Sequence, residues 1–147
     1  MKKIFLPLLV MSAILMSKQA KSQSYHGAEA TKTHYKALYF LDDADPKKIK
    51  MTLRNIDNAL DDVRLKGKLE VELVVFGDGV GVYEKANPYE EALLALQKKG
   101  VLLTQCSNTV RERHIDKETL FSFINYVPSG NGEIIIRQAD GWSVVHP

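Results

Sequence analysis

The sequence predicts an α/β protein, a three-layer α/β/α sandwich on a parallel sheet. Two observations carry this. Short apolar runs rich in β-branched residues alternate with stretches of helical period, and two of those stretches open on a capping residue followed by proline, at Asp45-Pro46 and Asn87-Pro88. Strands separated by helices require crossover connections, which make neighbouring strands parallel and cover both faces of the sheet.

Lys36 to Leu41 (KALYFL) is the first strand, buried because it is almost continuously apolar. Asp45 then caps a helix with Pro46 at its first position. Ile49, Leu53, Ile56, Leu60 and Val63 recur at spacings of four and three, giving one apolar stripe that should run on to Gly67. Leu69 to Phe76 (LEVELVVF) is the second strand. Gly77-Asp78-Gly79-Val80-Gly81 follows as a flexible connection, with a ligand loop as the alternative. A dinucleotide fingerprint is not met, since Val82 stands where its third glycine belongs and no helix opens directly from the turn.

Asn87, Pro88 and Glu90 form the next helix start, Leu93, Leu94 and Leu96 its apolar side, and Gly100 its end. Val101 to Gln105 is the third strand, with Cys106 at its carboxyl end. Asp116 caps a short helix through Phe121, and Ile124 to Val127 is a fourth strand. The remainder is open on pattern alone. Glu133 to Val145 fits a hairpin about Asp140-Gly141 as well as a helix capped by Ser129, ended by Gly141 and followed by a fifth strand.

The amino-terminal residues set the redox context. Lys2 and Lys3 precede Ile4 to Met16, an apolar run too short to span a bilayer but suited to a signal peptide. Ala20 and Ser22 place cleavage before Gln23, so residues 1–22 are expected to be removed and the protein to be exported, to the periplasm in a bacterium. Residues 23–34 are polar, without period, and are expected to form a flexible tail before the folded domain of residues 35–147. The leader holds four lysines and no acid, so its loss turns the formal charge of +2 into −2. The basic balance of the whole chain is therefore no sign of nucleic-acid binding, and no membrane attachment is expected after cleavage.

About 125 residues suffice for one domain with its own core. One cysteine forms no internal disulfide, so packing must hold the fold. His26, His34, His114 and His146 lack ligand spacing, so neither a metal nor a cofactor is expected.

In an open parallel sheet, sites form at the carboxyl ends of the strands, near a switch in strand order. That edge collects Asp42 and Asp43, Gly77 to Val82, Cys106 to Thr109, and Pro128 to Asn131. Cys106 is the candidate reactive group. A helical turn over Ser107 to Arg113 would aim free amides at its sulfur and favour the thiolate, with Ser107, Asn108 and Thr109 as local hydrogen-bonding groups and Arg111, Arg113 and His114 adding positive charge. The competing reading is a buried thiol that only packs.

The segments GVLLTQCSNTVRERHID, INYVPSG and IIIRQADGWSVVHP, with KALYFLDD and VVFGDGVGVY, resemble the DsrE/DsrF-like family of sulfur-relay proteins over residues 35–147. The resemblance implies five parallel strands, a C-terminal helix and strand in place of the hairpin, and assembly as a homotrimer or homohexamer. It also implies that Cys106 matches the cysteine that carries a persulfide, with the Gly77 to Tyr83 segment beside it. The expected function is an exported sulfur carrier or thiol-exchange protein more than a turnover enzyme, served by a donor or acceptor protein. Cys106 is its working residue and Ser107, Asn108, Thr109, Gly77, Asp78, Gly79 and Gly81 its support. The alternative is a non-catalytic ligand- or protein-binding oligomer in which Cys106 is inert.

Overall fold

The computed structural model describes residues 25–147, so the expected signal peptide lies outside the described residues. Five strands, β1 (Tyr35–Leu41), β2 (Leu69–Val75), β3 (Leu102–Cys106), β4 (Asn125–Val127) and β5 (Ser143–Val145), form one parallel sheet in the order β4-β3-β2-β1-β5. Helices α1 (Pro46–Asp61), α2 (Glu90–Lys98), α3 (Ser107–Glu112) and α4 (Gly130–Ala139) connect them. The chain steps outward from β1 to β4, and α4 then carries it back to place β5 on the far side of β1.

Strand alternation divides the core. Ala37, Tyr39, Leu41, Val71, Leu73, Val75 and Leu103 face the larger apolar cluster, filled by Ile49, Leu53 and Ile56 of α1 and Leu93 and Leu96 of α2. Their neighbours Leu38 and Val74 face a smaller cluster with Trp142, Phe40, Val144 and Ile134 of α4. The three-layer α/β/α architecture expected from the alternation is therefore present. The open choice at the C-terminus resolves to helix and strand: Ser129 caps α4 by accepting the Gly132 N–H at 3.2 Å, and Gly141, at φ 81°, turns the chain into β5.

Three local expectations are corrected. Helix α1 ends at Asp61, not Gly67, because the Asp62 carboxylate accepts the Arg64 N–H at 2.9 Å and takes its guanidinium at 2.6 Å, forming a turn that competes with the helix. Val63 consequently leaves the stripe and is 90% exposed. Asn87 does not cap α2; its Nδ2 donates to the Gly81 carbonyl at 2.7 Å, and the helix starts at Glu90. The glycine run is not a flexible connection but a 3-10 helix over Gly77–Tyr83 with Gly79, Val80, Val82 and Tyr83 buried. Residues 25–34 contain no helix or strand, and the Arg64 Nη1 donates to the Ala28 carbonyl at 3.1 Å.

Candidate functional site

Parallel pairing of β3 with β4 brings two helix starts together. Cys106 lies opposite Val127 in the ladder. After Cys106 the chain enters α3, and after Val127 it passes through Pro128 and Ser129 into α4. The Asn108 N–H donates to the Pro128 carbonyl at 3.3 Å and ties the two turns. Thr104 and Cys106 share one face of β3, the face that α4 covers.

Cys106 itself stands at the N-cap position of α3 with extended backbone, φ −67° and ψ 117°, and makes no side-chain cap hydrogen bond, so the first free amides of α3 lie beside it. Burial pushes its thiol pKa up. The Thr109 N–H and hydroxyl and the amides of Gly130 and Asn108 oppose that, and together they hold the thiol below its ordinary value. Cys106 is free and only 4% exposed, yet it belongs to neither apolar cluster. It lines a cleft of about 310 Å³ with Phe76, Gly77, Asn108, Thr109 and Gly130.

The residues expected to support Cys106 are not all placed around it. Gly77, Asn108 and Thr109 line the cleft, and Thr109 Oγ1 accepts the Gly77 N–H at 3.0 Å. Ser107 lines a separate hollow with Arg111 and His114. Asp78 pairs with Arg113 at 2.5 Å on the other side of the 3-10 segment, where Gly81 also lies. Gly79 sits against β1, where a Cβ would stand 2.3 Å from the Leu41 carbonyl oxygen; its role is close packing.

Two lining residues, Phe76 and Glu112, were not singled out from the sequence, while Ser129, Gly130 and Asn131 were placed at this edge but not assigned to the support of Cys106. The helix-capping signal at Ser129 was the available clue, because a helix start there adjoins the end of β3. Cys106 also lies away from the switch in strand order. The switch falls between β1 and β5, where His146 stacks on Phe40 at 4.2 Å and its Nε2 approaches Asp42 Oδ1 at 3.4 Å. A larger hollow of about 800 Å³ beside His26, Asp61 and Arg64 opens at the opposite, amino edge of the sheet. Among the described residues no group of three or more His, Cys, Asp or Glu side chains is placed to hold a metal ion.

The sequence model of the DsrE/DsrF-like family matches residues 17–147. The chain belongs to that family. Among solved structures, this DsrE/DsrF-like chain is similar to protein MTH1491 of unknown function from Methanobacterium thermoautotrophicum. The two are 28% identical with a TM-score of 0.71, over 77% of this chain and 99% of that one. The ychN protein of E. coli (12% identity, TM-score 0.63, 78% and 99% coverage) shares the fold. So does protein BT1422 of unknown function from Bacteroides thetaiotaomicron, at 11% identity, TM-score 0.60, and 82% and 100% coverage. No curated protein matches the chain.

Proposed function

We propose that this DsrE/DsrF-like protein is an exported sulfur carrier whose Cys106 holds a persulfide. Membership of the DsrE/DsrF-like family, which suggests sulfur relay in general, supports the class of chemistry. The observation that carries the reading is the place of Cys106 at the start of α3, in a cleft it shares with Asn108, Thr109 and Gly130, whose amides, with the Thr109 hydroxyl, hold its thiol below the ordinary value. Such groups favour the anion, and the thiolate is the nucleophile in sulfur exchange.

The step balances without an oxidant. The Cys106 thiolate attacks the outer sulfur of a donor persulfide, R–S–SH. A new bond forms between the Cys106 sulfur and that atom, the donor sulfur–sulfur bond breaks, and R–S⁻ leaves with the bond's electron pair. The proton of the transferred –SH stays with it. Handing the sulfur to an acceptor thiolate reverses the same exchange, so the protein is a carrier.

Incubation of residues 23–147 with inorganic polysulfide, followed by intact-mass measurement, tests this. The wild type gains whole sulfur masses and Cys106→Ser gains none; no gain in the wild type, or equal gain in both, refutes it. Export rests on Lys2, Lys3 and the apolar run Ile4 to Met16, and sequencing the amino terminus of the secreted protein should read Gln23 first. Homotrimer or homohexamer assembly is the companion proposal, supported by the exposure of Ile135 (67%) and Ile136 (59%) on α4; light scattering of the purified protein measures it.

A second reading follows from the 4% exposure of Cys106: a non-catalytic binding module with an inert thiol. In that case iodoacetamide labels Cys106 only after unfolding.

A further inference from the structure

Glu72 is a fully buried carboxylate in a strand of otherwise apolar inward residues, and the chemistry of Cys106 does not touch it. It lies on β2 facing α4. Its Oε1 accepts the Thr104 hydroxyl at 2.9 Å, and its Oε2 lies 2.8 Å from Arg137 Nε. The Arg137 Nε–H is aligned instead on Glu133 Oε1, also at 2.8 Å, which leaves Glu72 Oε2 without a hydrogen bond of its own. Two carboxylates thus compete for one N–H, and Arg137 in turn lies over the Trp142 ring at 4.4 Å.

Helix α4 has little else to hold it. Gly130 is its one buried residue, Ile134 is partly buried against the small cluster, and Ile135 and Ile136 face outward. Its first turn rests on the Phe76 ring and its last turn carries Arg137, about 10 Å along the axis. Buried ion pairs seldom stabilise a fold more than apolar residues of the same size would. A cluster this costly, at the one place where α4 meets β2 through charge, points to position and not to stability.

We propose that Glu72 and Arg137 form a clamp that seats α4, so that the Gly130 turn at its other end stays beside Cys106 in the cleft the two share. The links close a ring: across the shared cleft from Cys106 to Gly130, along α4 to Arg137, across to Glu72, on to Thr104, and two residues along β3 back to Cys106. Glu72 and Arg137 are therefore positioning residues for the thiol. The inference deepens the carrier reading and rests on Cys106 being its working thiol, but it is measured without any sulfur donor.

The test is the pH dependence of iodoacetamide labelling of Cys106 in folded residues 23–147, with melting temperature as companion. Arg137→Met keeps the length over Trp142 and removes the charge; its labelling midpoint rises by about half to one pH unit, and labelling below the midpoint slows about three- to tenfold. Arg137→Lys keeps the charge and stays near wild type. Should Arg137→Met fail to fold because Glu72 is left buried and alone, the double variant Glu72→Gln/Arg137→Met removes that charge and shows the same raised midpoint. Leu96→Ala, in the opposite core, lowers the melting temperature and leaves the midpoint unmoved. An unchanged midpoint in the folded clamp variants overturns the proposal, as does an equal shift in Leu96→Ala. A wild type that takes up no sulfur while the clamp variants still shift the midpoint refutes the carrier reading and leaves the clamp standing.

Discussion

Thr109 joins two parts of the site: its hydroxyl oxygen accepts the Gly77 N–H at 3.0 Å, and it lines the cleft beside Cys106, whose thiol its amide and hydroxyl help to hold below the ordinary value. One side chain on α3 therefore fixes the 3-10 segment and favours the thiolate together. Thr109→Val keeps the shape and deletes the hydroxyl, and with it the bond to Gly77. The part-buried Gly77 N–H loses its partner at a cost of about 1–3 kcal/mol. The thiol pKa rises, so neutral-pH labelling slows. Thr109→Ser restores the hydroxyl and should return both properties to wild type. Melting temperature and labelling rate, measured on the same three proteins, check this; a Val variant that labels like wild type would count against it.

A Cβ on Gly130 would meet Phe76 Cδ1 at 2.7 Å and its Cβ at 3.1 Å. Gly130→Ala must therefore lift the first turn of α4 or turn the Phe76 ring. Overpacking of this kind costs about 1–3 kcal/mol. Because the Gly130 amide is one of the groups that hold the thiol down, the same change raises the Cys106 midpoint. Phe76→Leu in the Gly130→Ala background, which makes room, recovers part of the lost stability in a thermal melt.

Gly79 is constrained more severely, since the atom 2.3 Å from its would-be Cβ is the Leu41 carbonyl oxygen, part of the backbone of β1. The β1 carbonyl cannot move without disturbing its ladder. Gly79→Ala should destabilise by about 3 kcal/mol or more, the upper range for overpacking. Gly100→Ala is the comparison: nothing lies within 4 Å of its would-be Cβ, and the cost there comes from its φ of 93° alone. Urea unfolding of the two variants, with equal midpoints as the contrary result, tests the ranking.

The fold was legible wherever its cause was local. Asp45-Pro46 starts α1, and Ile49, Leu53 and Ile56 lie on its buried side because a four-three spacing makes one stripe. The limits of such reading also have local causes. Val63 continues the period, but the side chain of Asp62, the residue before it, captures the Arg64 N–H and ends the helix. Ile134-Ile135-Ile136 suits a strand as well as a helix, and only the Ser129 cap and the route to β5 decide between them. Glu72, by contrast, sits in LEVELVVF like the outward residue of a half-exposed strand. Its burial depends on α4 returning across the sheet more than fifty residues later, a non-local event with no trace in its own surroundings. Gly130 reaches Cys106 through the pairing of β3 with β4, which sets Cys106 opposite Val127, so the sequence places both at one edge without showing that the Gly130 amide serves the thiol.

The depressed thiol gives stability a signature in pH. A group whose folded pKa lies below its unfolded one, here below the ordinary 9.0, binds fewer protons in the folded state. Its contribution is present above the unfolded pKa and is lost as pH falls through the folded value. Wild type should therefore gain on Cys106→Ser as pH rises from neutrality toward 9. Melting temperatures of both proteins over that interval, under reducing conditions, show a widening gap. Parallel curves would mean that the amides do not favour the anion.

Glu72 produces the opposite sign. Burial first, and the nearby Glu133 carboxylate as well, raise its pKa above the ordinary 4.5, while the Thr104 hydroxyl and Arg137 pull it down without prevailing. Tyr83, buried in the 3-10 segment, also feels this carboxylate and has its own pKa raised, by burial first. In the window from 4.5 up to the raised value, the folded protein binds more protons at Glu72 than the unfolded chain does, so stability falls as pH rises. Glu72→Gln is an amide at every pH and lacks this loss. Its stability relative to wild type should accordingly climb through the window and then level off, even though its weaker hold on Arg137 raises the Cys106 midpoint slightly. Melting curves of the two proteins from the carboxylate range to neutrality decide it. A Gln variant whose relative stability drops with rising pH would mean that Arg137 outweighs burial and that Glu72 is a stabilising anion.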